Sequence, residues 1–105
     1  MREVKVKDLY RRSEEFGGEE VIVRGWVRTN RGSNKFGFIE LNDGTFFKSV
    51  QVVYEAENLE NFEEVSKVAI ASALSVRGEM VLTPGAKQPF EIKAKEVTVE
   101  AGSAA

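Results

Sequence analysis

Lys35-Phe-Gly-Phe-Ile-Glu-Leu41, then Asn42-Asp-Gly44, then Ser49-Val-Gln-Val-Val-Tyr54 decide how this chain folds. Two runs rich in β-branched and aromatic residues flank an Asn-Asp-Gly turn, the pattern of a β-hairpin. Side chains alternate between the two faces of a strand. Gly37, Ile39 and Leu41 therefore face one way, and Phe36, Phe38 and Glu40 the other. On the second run Val50, Val52 and Tyr54 share a face, opposite Ser49, Gln51 and Val53. If the aliphatic faces build a core, Phe38 and Gln51 lie near each other on the outside.

Working upstream, Glu20-Val-Ile-Val-Arg-Gly-Trp-Val-Arg-Thr29 reads as another strand, with Gly25 marking a bulge or sharp bend. Asn30-Arg-Gly-Ser-Asn34 is a turn by composition. Val4 to Phe16 is predicted to be a helix, with Val6, Leu9 and Tyr10 on one side and Gly17-Gly18 closing it. Downstream, Asn58 is predicted to cap a helix running to about Ile70, with Leu59, Phe62, Val65 and Ala69 as its apolar stripe. Ser75 to Leu82 and Phe90 to Glu100 are the last two strands, separated by the Thr83-Pro-Gly85 turn. Residues 1–100 thus form one domain, and Ala101 to Ala105 is expected to be a disordered tail. Helix, three-strand meander, helix, two strands is the layout of an all-β protein, the five-stranded Greek-key OB-fold barrel, with an N-terminal helix and a helix between strands three and four. Glycines at 25, 37 and 78 suit the corners of such a barrel, which favours it over an open α+β sandwich.

The composition narrows the function. A chain of 105 residues holds one core. It has no cysteine and no histidine, which removes thiol catalysis, disulfides, the usual general base and the usual metal ligands. No metal or cofactor is expected. The adjacent pairs Glu14-Glu15, Glu19-Glu20 and Glu63-Glu64 read as solvated faces, and no glycine-rich phosphate loop is present. No catalytic residue is assigned. No apolar run reaches membrane-spanning length and no signal-peptide core is seen, so the cytoplasm is the expected location. The formal charge is −2, which excludes a globally basic nucleic-acid binder but not a local one. Residues 1–54 carry 10 Lys/Arg against 8 Asp/Glu, and residues 55–105 carry 5 against 9. From Arg24 to Lys48 there are five basic residues and two acidic ones, so an anion-binding surface belongs there.

An outward aromatic ring beside an amide and several arginines is what an unpaired base needs. The ring stacks the base, an interaction worth about 1–3 kcal/mol, and the amide reads its edge. Arginine neutralises phosphate or stacks in turn. The competing reading makes Phe38 a second-core residue under a loop or helix. Trp26 is expected to pack beside Gly25, and one of Phe46 and Phe47 to plug the barrel end. Parity leaves open which of Arg24, Arg28 and Arg31 face the site, because a bulge resets it.

Gly25-Trp-Val-Arg-Thr-Asn-Arg31, Phe38-Ile-Glu-Leu-Asn-Asp-Gly44 and Val50-Gln-Val-Val53 together resemble the N-terminal anticodon-binding domain of class IIb aminoacyl-tRNA synthetases, most of all the bacterial asparaginyl branch. Thr83-Pro-Gly-Ala-Lys-Gln-Pro-Phe-Glu-Ile92 supports the likeness, which extends over residues 1–100. The resemblance implies that Phe38 stacks on the central anticodon base, a uridine, and that Gln51 hydrogen-bonds it. It implies that Arg31, Arg28 and Glu91 also contact the anticodon. The class II catalytic motifs have no counterpart in this sequence, so aminoacylation is not expected of the chain and neither is an independent dimer. The expected partner is a tRNA anticodon loop. A general single-strand binder and a protein-interaction or engineered scaffold are the alternatives.

Overall fold

The computed structural model describes residues 2–101. Its elements are β1 (Arg2–Glu3), α1 (Val6–Arg11), α2 (Ser13–Phe16), β2 (Glu20–Gly32), β3 (Phe36–Asn42), β4 (Val50–Glu55), α3 (Phe62–Ser66), β5 (Ala73–Leu82) and β6 (Phe90–Ala101). The sheet runs β1-β2-β3-β4-β6-β5, and β2 pairs again with β5. Strands β2 to β6 therefore close into the five-stranded barrel, with β4 and β6 parallel and the other barrel pairs antiparallel. No helix among the described residues is long and apolar enough to cross a membrane.

Alternation fills the interior. Ile39 and Leu41 of β3 and Val50, Val52 and Tyr54 of β4 are fully buried, as the hairpin pattern predicts. Val6, Leu9 and Phe16 join the same core from the N-terminal segment. Tyr54 is the largest fully buried side chain. Its hydroxyl donates to Asn30 Oδ1 at 2.7 Å, and Asn30 Nδ2 donates to the carbonyls of Val65 at 3.0 Å and Val68 at 3.2 Å. The Asn30 amide thus ties a buried phenol to the α3 turn, satisfying groups that would otherwise be costly to bury.

Several local readings are corrected. The N-terminal helix is two short ones broken at Arg12, whose φ and ψ of −131° and 40° are not helical. Beyond the break Phe16 is buried, and the Gly18 N–H donates to the Met80 carbonyl at 2.7 Å, so tertiary contacts win over helix propagation. A sixth, two-residue strand, β1, lies parallel to Val21 and Ile22 of β2. Asn30 to Gly32 extend β2 rather than forming a turn, because Asn30 has partners across the fold that composition does not reveal. The helix after β4 is only five residues long. Asn58 does not cap it: its N–H turns back to the Glu55 carbonyl at 3.1 Å, and Leu59 is buried in the core. Ala101 pairs with Ala73 at the end of β6, and residues 102–105 of the expected tail lie outside the described residues.

Gly25 does not mark the bulge. A Cβ there would run into the Asn42 carbonyl, so Gly25 permits two backbones to approach closely. The register slips instead between Val27 and Thr29, leaving Arg28 as the extra residue. Trp26 is 39% exposed rather than packed inside, and its ring covers the Gly44 turn. Phe46 packs against the core edge while Phe47 is 81% exposed, so the barrel end takes one of the two rings.

One carboxylate caps the N-terminal helix. Asp43 Oδ2 accepts the Val6 N–H at 2.9 Å, capping α1 from 37 positions away. Asp43 Oδ1 accepts the Thr45 N–H at 3.0 Å and its hydroxyl at 2.6 Å. Burial alone would raise the Asp43 pKa, but these hydrogen bonds and the Lys5 charge outweigh it and hold the carboxyl below its ordinary value of 3.8. Replacing Asp43 with Ala is expected to cost about 2 kcal/mol in urea unfolding at neutral pH. Because the folded-state pKa is depressed, the charge-dependent part of that difference is intact above pH 3.8 and shrinks as pH falls below it. A second expectation concerns Gly37, where a Cβ would collide with the buried Tyr54 ring. Gly37→Ala should destabilise by about 1–3 kcal/mol, again read from urea midpoints.

Candidate nucleic-acid interface

The outer face of β3 and β4 is built by alternation. Phe36, Phe38 and Glu40 point away from the core, as do Gln51, Val53 and Glu55. Pairing then sets them in rows. Arg31 on β2 stands opposite Phe38, Phe38 opposite Val53, and Val53 beside Lys93 of β6. Two rungs away, on the same face, Thr29 stands opposite Glu40 and Glu40 opposite Gln51. Gln51 Nε2 donates to Glu91 Oε2 at 3.3 Å, which completes the second row.

The bulge decides the arginines. Before it, the odd-numbered valines Val21, Val23 and Val27 of β2 are buried. Without the extra residue Arg31 would continue that inward series. With it, Arg28 and Thr29 both point outward, Asn30 turns in to Tyr54, and Arg31 emerges beside Phe38. Arg24 lies where β2 pairs with β5, opposite Ser75, and its Nε is 3.6 Å from Glu3 Oε1. The three arginines that parity left unresolved are thus separated: Arg28 and Arg31 on this face, Arg24 away from it.

Beside the rows is an open groove of about 530 Å³ whose walls include Arg28, Gln51, Tyr10, Phe47, Lys48 and Gln88. Thr29 Oγ1 donates to Glu40 Oε1 at 2.7 Å, which fixes that carboxylate at its edge. Burial and the Glu40 charge both push the Tyr10 hydroxyl above its ordinary pKa, so it stays protonated and donates to the Ser49 carbonyl at 2.6 Å. Gln51 spends one N–H on Glu91 and keeps its other N–H and its carbonyl oxygen for a ligand. Arg28, Arg31, Lys48 and Lys93 border the face together with three carboxylates, Glu40, Glu55 and Glu91. Among the described residues no three of His, Cys, Asp or Glu gather as a metal site.

All five residues singled out from sequence, Arg28, Arg31, Phe38, Gln51 and Glu91, lie on this one connected surface. Phe36 and Glu40, which alternation already set on the Phe38 side, were not singled out, and neither was Lys93, which parity with Glu91 places there. Lys48, Phe47 and Tyr10 carried no such signal, because a loop and a separate helix deliver them.

A family model for OB-fold nucleic acid binding domains matches residues 21–100. The chain belongs to that family. Over 98% of its length the domain is 63% identical to the asparagine–tRNA ligase of Clostridium novyi and 55% identical to that of Alkaliphilus oremlandii. It spans 22% of the length of each. In three dimensions it superimposes on an asparaginyl-tRNA synthetase from Pyrococcus horikoshii, complexed with asparaginyl-adenylate, with a TM-score of 0.82 and 25% identity. That match covers 96% of this OB-fold domain and 23% of the Pyrococcus chain. The resemblance carried by residues 25–31, 38–44 and 50–53 therefore holds for this OB-fold domain as a whole.

Proposed function

We propose that residues 1–100 bind the anticodon loop of a tRNA as the recognition domain of an asparaginyl-tRNA synthetase, in the cytoplasm and without doing chemistry themselves. One observation carries this reading: a partly exposed Phe38 has Arg31 across from it and the Gln51 amide two rungs away on the same face, on a barrel of the nucleic-acid-binding family. The central base stacks on Phe38. Uracil offers an N3–H donor and an O4 acceptor, which match the Gln51 carbonyl and its free N–H. Cytosine presents the reverse order, and matching it in the same base orientation would need an amide flip that turns oxygen toward Glu91. The Gln51–Glu91 bond thus favours uracil. Arg28, Arg31 and Lys48 meet phosphates, and Glu91 also reaches a neighbouring base. The net charge of −2 keeps affinity modest. The strand pairing β2-β3-β4-β6-β5-β2 closes on itself, which limits strand pairing between copies, and the domain is taken to act singly.

Titration with an anticodon stem-loop carrying a central uridine tests the site. Phe38→Ala and Gln51→Ala should each weaken binding at low salt about tenfold or more, while Arg24→Ala leaves it unchanged. Equal affinity for wild type and both site variants would refute the assignment. Indifference to exchange of the central uridine would instead indicate a general single-strand binder. Salt dependence gives a further check. With four cations on the face, log Kd should change with log salt by a slope of no more than about 3. A slope near 7, typical of ten contacts to a single strand, would contradict the map.

A further inference from the structure

The outer face carries a second ring that the reading above leaves unused. Phe36 sits two residues before Phe38 on β3, hence on the same side, and is 45% exposed. The two ring centroids are 5.5 Å apart and the planes nearly perpendicular, at 85°. Phe36 does not belong to the core cluster or to the hydrophobic residues packed against it. Beside it lies a shallow depression of about 530 Å³ lined by Lys35, Phe36, Val53, Glu55, Ala56 and Glu57. Val53, which stands opposite Phe38, joins this depression to the Phe38 row.

Phe36, Phe38 and Val53 adjoin one another, and a contiguous apolar patch of this kind, unlike a singly scattered ring, marks a binding surface. Alternate positions on a strand are about 6.8 Å apart, a step that a single strand of RNA spans between neighbouring nucleotides. Sheet surfaces that bind RNA use aromatics in this way, one base to a ring. Glu55 and Glu57 repel phosphate, so the backbone passes on the β2 side, toward Arg31, and leaves the base toward the ring.

We propose that Phe36 and Val53 form a second base-binding subsite, which takes the base of the nucleotide next to the one stacked on Phe38. The inference rests on Phe38 stacking a base, as argued above. Since the rings are nearly perpendicular, the two bases do not stack on each other and the RNA turns between them.

The test pairs protein variants with stem-loops that lack one base. Affinity is measured by fluorescence anisotropy for the intact loop, for a loop abasic at the central position, and for loops abasic at either neighbour. Phe36→Ala should weaken the intact loop about tenfold. Its effect should vanish with one of the two neighbour-abasic loops, while Phe38→Ala still weakens that loop. Phe36→Trp should retain affinity. Phe36→Leu, which keeps apolar bulk without a π face, should not, and unchanged urea midpoints would show that both variants fold. If the Phe36→Ala effect persists with both neighbour-abasic loops and vanishes only with the centrally abasic one, Phe36 merely props Phe38 and the proposal is overturned. A silent Phe36→Ala beside a damaging Phe38→Ala overturns this subsite alone. A silent Phe38→Ala overturns the stacking reading on which it rests.

Discussion

The slip at Arg28 is the constraint on which the rest depends. Strand β2 serves two neighbours within the barrel, pairing with β5 from Glu20 to Trp26 and with β3 from Trp26 to Gly32. At the change-over the Val27 N–H goes to the Ser72 carbonyl at 2.9 Å, and the Val27 carbonyl accepts the Ala71 N–H at 2.8 Å. The strand bends there, and one added residue reverses the facing of everything after it. Upstream valines stay in the core. Downstream, Asn30 turns inward to meet Tyr54 and Arg31 turns outward to meet Phe38. Closure of the barrel and the chemistry of its outer surface therefore share one backbone irregularity.

That economy explains what was legible in the sequence. Period-two alternation in β3 and β4 separated the two faces, but parity left Phe38 either outward or under a second layer, and only the assembled barrel leaves it partly exposed. The helix position and strand count identified the barrel, and the ordered motifs pointed to its family. Local rules failed where distant partners decide. Nothing in Asn30-Arg-Gly announces a phenol 24 positions away, so the segment reads as a turn. Nothing near Val6 announces that Asp43 caps its helix. The bulge itself is carried by an arginine rather than by the nearby glycine, and glycine is the residue a sequence rule would choose.

The charge pattern shows the same division between local and assembled features. Counted along the chain, the segment from Arg24 to Lys48 is basic. Assembled, it splits: Arg24 pairs with Glu3 elsewhere, while Lys93 arrives from a different strand. The face that results is mixed rather than uniformly positive, with Glu40 held by Thr29 and Glu91 held by Gln51. Such a surface discriminates more than it attracts, because each fixed carboxylate penalises a wrong partner as well as orienting a right one.

The parallel pairing of β4 with β6 is the thinnest seam of the barrel, with only two residue pairs in register, Val52 with Ile92 and Val53 with Lys93. Gln51 and Glu91 sit just beside that seam, one on each strand. The seam is thus the natural place for the barrel to breathe, and its opening would part the amide from its carboxylate. A nucleotide gripping both side chains would act as a latch across the gap. Recognition and the local opening of the barrel would then be two sides of one equilibrium, with slow hydrogen exchange along β6 as a record of occupancy.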